Sequence, residues 1–139
     1  MGLFGDTVND LRLKAQWSYG ESRGLGPMAR VLLTDGTMAI VLYRVMQWSR
    51  RYRLVTLEML ANRLSGMFCN CFIGRGAEFG RGFVLLHADG EVINRLVRGG
   101  DNIYVEHQVT IGADRGTSSV IGMEIFCEPG GELLALSAF

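Results

Sequence analysis

At 139 residues the chain has room for one domain, or for a small domain with a helical cap. Hydrophobic residues make up 48% and charged residues 20%, enough for a filled core under a polar surface. Lys plus Arg and Asp plus Glu both number 14, so the net charge of +0 excludes bulk attraction to nucleic acid. Three cysteines, an odd count with no secretory signal ahead of them, point to a reducing cytoplasm rather than a disulfide scaffold. Cys69 and Cys71 form a CxC pair, but no second Cys/His pair stands at zinc spacing, so no metal is expected.

The first seventy residues read as helices. The opening MGLFGDTVNDLRLK lacks an apolar run behind a basic start and is not a signal peptide. Asp6 and Thr7 are expected to cap a helix running to about Trp17. Residues 20–27 (GESRGLGP) read as a loop, and Pro27 opens a helix over Met28 to Leu33. Asp35-Gly36 makes a turn. A helical pattern follows from Thr37 to Tyr52, and another from about Leu54 to Met67 with Leu57, Leu60, Ala61 and Leu64 on one face. The most hydrophobic stretch, Met38 to Trp48, is interrupted by Arg44 and is too short to span a bilayer. With Arg50, Arg51 and Arg53 behind it, it suits either a membrane surface or, as the favoured use, a buried or subunit-facing position.

The composition turns to Gly, Val and Ile near Cys69, which divides a helical region, 1–70, from a β region, 71–139. From Ile73 the chain counts in sixes. Anchors fall at Ile73, Phe79 and Leu85, resume after a two-residue slip at Ile93, Gly99, Val105 and Ile111, and return after a four-residue slip at Ile121, Cys127 and Leu133. Small or apolar residues stand four places after most anchors: Ala77, Phe83, Val97, Ile103, Val109, Ile125 and Gly131. A flat strand would turn the position two after the anchor inward as well. That position holds Arg75, Arg81, His87, Arg95, Asp101 and His107, all polar, so the period is six rather than two. A short fixed period signals a solenoid whose coils stack to bury one core; a β-sandwich with Gly-rich turns is the alternative. Cys127, at an anchor, is expected to point inward, and residues 113–120 (ADRGTSSV) to loop out from a corner. The last residues, LLALSAF, are apolar where a solenoid needs a polar cap, so the end reads as truncated or as completed by a partner surface. Four arginines of the repeat (Arg75, Arg81, Arg95 and Arg98) suit either a phosphate-bearing ligand or plain solvation.

The pattern, with Gly directly after the anchor at Gly74, Gly80, Gly112 and Gly122, resembles the hexapeptide repeat of left-handed parallel β-helices. Residues 87–112, HADGEVINRLVRGGDNIYVEHQVTIG, resemble a segment of bacterial serine O-acetyltransferases and of their relatives of the colanic-acid type in exopolysaccharide clusters. The preceding IGRGAEFGRGFVLLH is similar to the first coil of those enzymes, and MAIVLYRVMQW to their last helices; the likeness covers about Asp35 to Leu134. It implies a mainly β chain with an N-terminal α-helical region and an incomplete left-handed β-helix. It also implies acetyl-CoA as co-substrate, a small-molecule acceptor (the hydroxyl of L-serine or of a sugar) and a homotrimer.

Within the resemblance, His87 stands where the family has its general base. A neutral imidazole can take the proton that an alcohol loses on attacking a thioester. By itself His87 reads first as a corner histidine bonded to a carbonyl. His107 holds the same hexad position one coil later, as an aid to His87, an acceptor contact or an outward histidine. Asp89 and Arg115 stand as substrate-binding candidates, and Gly112, Ala113, Gly130 and Ala135 match the small residues that line the cofactor's path. Two departures stand out: Phe72 and Leu86 occupy positions where the serine enzymes carry aspartates that orient the base and grip the amino acid. Asp89 or Glu106 is expected to supply the missing carboxylate. The shortened loop keeps Asp114-Arg115 but has Gly116 where the family has histidine. The first functional reading is thus an acetyl-CoA-dependent O-acetyltransferase; the second is a truncated homologue kept for assembly.

Overall fold

The computed structural model describes residues 2–20, 24–112, 119–121, 126–127 and 132–134. Four helices come first: α1 (Leu3–Tyr19), α2 (Leu25–Leu32), α3 (Thr37–Arg51) and α4 (Val55–Cys69). Helix α1 begins before the expected Asp6-Thr7 cap. The carbonyl of Gly2 already accepts from the Asp6 amide, and the Thr7 hydroxyl donates back to the Leu3 carbonyl at 2.7 Å instead of capping forward. Helix α2 likewise starts ahead of Pro27, which sits in its first turn, where a missing amide hydrogen costs nothing. The face expected for α4 is only partly the one it buries: Ala61 is buried and Leu64 half-buried. Leu57 and Leu60 are exposed, whereas Glu58, Ala61 and Ser65 are buried, because the helix docks through polar groups that meet the β region.

Among the described residues, nine short strands follow in chain order: β1 (Cys71–Ile73), β2 (Phe83–Leu85), β3 (Glu91–Ile93), β4 (Val97–Gly99), β5 (Ile103–Val105), β6 (Thr110–Gly112), β7 (Ser119–Ile121), β8 (Phe126–Cys127) and β9 (Glu132–Leu134). They form three parallel sheets, ordered β1-β3-β6-β9, β2-β5-β8 and β4-β7. From β2 on, every third strand returns to the same sheet, and in the first coil an isolated bridge from Glu78 to Arg98 stands on the remaining side, so the chain winds as a three-sided coil. Its register follows the anchors. Ile73 pairs with Ile93, which pairs with Ile111, which pairs with Leu133. Leu85 pairs with Val105 and that residue with Cys127, while Gly99 pairs with Ile121. Four places after the anchors, Ala77, Phe83, Val97, Ile103 and Val109 are buried and Asp89 is exposed; Ile125 and Gly131 lie outside the described residues. Gly99 is an anchor without a side chain because Phe79 of the coil below fills its place: a Cβ there would sit 2.2 Å from the Phe79 ring. Ser119 and Val120, expected in a loop, belong to β7.

The helices close the starting edge of the coil by supplying partners to its exposed backbone. On the first sheet, Asn62 of α4 donates to the Ile73 carbonyl and Ser65 to that of Cys71. Beside the corner into the second side, the Tyr43 hydroxyl of α3 donates to the Ala77 carbonyl and accepts from the Phe79 amide, and Gln47 donates to the Phe79 carbonyl. Ahead of β2, Asp10 of α1 accepts from the amides of Gly82 and Phe83. Arg44, the charge that interrupts the apolar stretch, is only 2% exposed; it pairs with Asp10 at 2.5 Å and donates to the Gly80 carbonyl. Among the described residues no single helix is long and apolar enough to cross a membrane; α2 and α3 would qualify only as a pair bent by 84°.

Candidate active site

His87 and His107 follow β2 and β5, each two residues past the end of its strand. Because Leu85 pairs with Val105, the coil register stacks the two histidines. Their ring centroids lie 6.2 Å apart, edge to face at 74°. Both side chains are open to solvent, at 57% and 44%. The two-residue slip between Leu85 and Ile93 falls in the corner that begins at His87, making it wider than the one after His107. The backbone there is tied to the neighbouring coil: Leu86 donates to the Val105 carbonyl, and Gln108 to that of Asp89.

The carboxylate nearest His87 comes from the helices. Asp35, in the turn between α2 and α3, places Oδ2 3.9 Å from the Nδ1 atom of His87. That is beyond hydrogen-bond length, though both side chains are exposed and have room to close. The turn is held firmly. Gly36 has φ +84, and a Cβ on it would lie 2.5 Å from the Leu85 carbonyl oxygen, so the turn rests on the strand that carries His87. From beneath, the Lys14 ammonium of α1 donates to the Asp35 carbonyl. Burial pulls Lys14 down to about 8, partly opposed by the Asp35 charge.

Of the two carboxylates expected beside His87, Glu106 stands instead by His107, with Oε2 3.6 Å from Nδ1. Asp89 accepts from Asn70 at 2.9 Å. Phe72 is half-exposed on β1, and Leu86 is buried. Glu91 lies fully buried between these groups; one oxygen accepts from the Asp89 amide, and the other has no hydrogen-bond partner among the described residues. Burial pushes its carboxyl above the usual carboxylate range, against the bond from Asp89 and the pull of His107. Burial also pushes the Cys71 thiol up to about 12, and raises that of Cys69. Neither thiol is therefore a ready nucleophile. No group of three His, Cys, Asp or Glu among the described residues could hold a metal. Gly112 ends β6, paired with Leu134. Ala113, Arg115, Gly130 and Ala135 lie outside the described residues, as does the side chain of Cys127.

The sequence reading missed Asp35, which lies far from His87 along the chain. Its one local signal was the Asp-Gly turn, and nothing in the repeat says where that turn docks.

No family model matches the chain. It is 38% identical over 65 residues to serine acetyltransferase 1, chloroplastic, of Arabidopsis thaliana, a stretch covering 47% of this chain and 20% of that protein. It is 29% identical over 82 residues to the serine acetyltransferase of Helicobacter pylori, covering 59% of this chain and 48% of that one. The chain thus spans no more than about half the length of these curated relatives. Among solved structures, a serine acetyltransferase in complex with CoA superposes with a TM-score of 0.82 at 15% identity, covering 96% of this chain and 55% of that one. The Brucella abortus serine acetyltransferase gives 0.76 at 22%, covering 93% and 54%. The soybean enzyme complexed with serine gives 0.71 at 19%, covering 94% and 54%. At these identities the structural likeness concerns the fold. In sequence and in fold, this chain is therefore similar to serine O-acetyltransferases.

Proposed function

We propose that the chain is an acetyl-CoA-dependent O-acetyltransferase, with His87 as general base and the hydroxyl of a small molecule as acceptor. The carrying observation is the cluster at the coil corner: two imidazoles edge to face, with a carboxylate facing Nδ1 of the first. Asp35, closing on Nδ1, favours the tautomer with its proton there, which leaves Nε2 free to accept. As the acceptor's oxygen attacks the thioester carbonyl, its proton passes to Nε2. The tetrahedral intermediate then collapses, the C–S bond breaks, and the imidazolium returns the proton to the departing thiolate. No covalent acyl-enzyme is needed once both substrates share the site. His107 and Glu106, one coil on, are placed to hold the acceptor.

The acceptor is L-serine or a sugar hydroxyl. Phe72 and Leu86 remove two acidic contacts, but Asp35 and Glu106 bring two carboxylates to the histidine pair, a setting that suits an ammonium group. L-Serine is therefore the first acceptor to test, with sugars second. The similarity to a CoA-bound serine acetyltransferase supports both acetyl-CoA as donor and a left-handed wind for the coil. Gly112, Ala113, Gly130 and Ala135 would lie along the donor, Asp89 and Arg115 near the acceptor, and the working unit would be a trimer. Thiol release from acetyl-CoA in the presence of L-serine, compared with His87→Ala, tests the reading. Release that persists in the variant, or a folded protein with no release for any hydroxyl acceptor, contradicts it; the latter favours an assembly role.

A further inference from the structure

Away from the histidine pair, α3 and the first corner of the coil enclose two adjoining cavities that share no lining residue with the His87 cluster. One holds about 530 Å³ and is lined by Gln47, Arg50, Arg51, Glu78 and Arg98 along with corner backbone. The other holds about 630 Å³, shares Arg50, and adds Asn62, Phe72, Arg75, Asn94 and Arg95. Each has the size of a small-molecule site.

Among the described residues, five guanidinium groups line this pair of cavities, and Glu78, 58% exposed, is the one carboxylate that lines either. A second carboxylate, Glu58, lies buried behind them, 3.3 Å from Arg50 and 3.2 Å from Arg75, and fixes both heads. Arg98 is fixed too, donating to the Gly76 carbonyl. Gly76 has φ +110, and a side chain there would press on the Arg50 guanidinium at 3.4 Å, so the corner stays bare beneath that group. Glu78 also stands 3.9 Å from Arg98, but two carboxylates against five guanidinium groups leave an excess of positive charge that draws an anion, and guanidinium forks match phosphate oxygens. The second cavity also has an apolar side. The half-exposed ring of Phe72, backed by Gly66, lines it together with Val92.

We infer that these cavities bind a soluble nucleoside diphosphate, its phosphates on either side of Arg50 and its base against Phe72. Base stacking on an aromatic face and bidentate phosphate contacts both fit the lining. This site is separate from the proposed acetyl transfer and is tested without it.

Calorimetric titration of the full chain with ADP, UDP, pyrophosphate and adenosine reads the site directly. Both diphosphates are expected to bind, pyrophosphate more weakly, and adenosine not measurably. The double variant Arg51→Ala/Arg95→Ala removes one exposed cation from each cavity and should weaken ADP by about tenfold or more, the size of one lost charged contact. Phe72→Ala should weaken ADP but leave pyrophosphate unchanged, and His87→Ala should change neither. Unaltered thermal melting of the variants shows that the fold is intact. No binding of any diphosphate by the wild-type chain overturns the inference. So does ADP binding that survives the arginine substitutions, since the nucleotide would then sit elsewhere, including wherever the adenine nucleotide of acetyl-CoA sits.

Discussion

His87 has a neighbour that the repeat itself does not contain. The Asp35 carboxylate stands 3.9 Å from Nδ1, on a turn whose next residue lies against the strand leading to His87. If Asp35 orients the imidazole, Asp35→Asn should lower kcat by about 10- to 100-fold, equivalent to the ~1.5–3 kcal/mol of a charge-assisted hydrogen bond. KM should move less. An unchanged kcat would remove Asp35 from the mechanism. Gly36→Ala tests the support beneath it. Positive φ and a 2.5 Å approach to the Leu85 carbonyl should together cost about 1–3 kcal/mol, read as a lower urea midpoint. The histidines were legible in the sequence because both hold the outward position of their hexads, 20 residues apart, and the register of β2 on β5 keeps them together. Asp35 was not legible, since its place depends on how three helices fold over the first coil.

At the scale of elements, the anchors foretold the sheets: Ile73, Ile93, Ile111 and Leu133 run up one of them in register. The helices were harder to read. Their length showed in the apolar periodicity, but the face of α4 showed only at Ala61, because Glu58 and Ser65 rather than Leu57 and Leu60 are buried beside it. Polar docking of that kind leaves no hydrophobic stripe. The buried Asp10–Arg44 pair is the strongest example, joining α1 and α3 to the backbone between Gly80 and Phe83. Asp10→Ala strands Arg44 and two amides, so unfolding should become easier by about 3–5 kcal/mol in urea titration. Lys14 makes a second prediction. Its folded value of about 8 lies below the ordinary 10.5, so above pH 8 the unfolded chain binds more protons there than the folded one. Stability should therefore rise by about 1 kcal/mol between pH 8 and 9. Above about 9 the Cys71 thiol, held up to about 12 in the fold, works the other way, because the folded state then keeps the extra proton. Lys14→Met should flatten the rise; a profile already flat in the wild type would refute this account of Lys14.

For the whole molecule, a helical cap and a three-sided coil are built on one another, and the His87–His107 cluster sits where the two meet. The helices supply the carboxylate and close the coil's first edge, while the coil supplies two histidines at a fixed spacing. The similarity to serine acetyltransferases extends through both parts of the fold, with 96% of the chain covered in the CoA-bound structure. The central claim is that this arrangement moves an acetyl group. The most direct measurement is thiol release from acetyl-CoA with L-serine and then sugar acceptors, run beside His87→Ala with the fold of both proteins checked by circular dichroism. The account predicts acceptor-dependent release that falls by at least about 100-fold in the variant. Release that is equal in both proteins, or absent from the folded wild type with every acceptor, would contradict it.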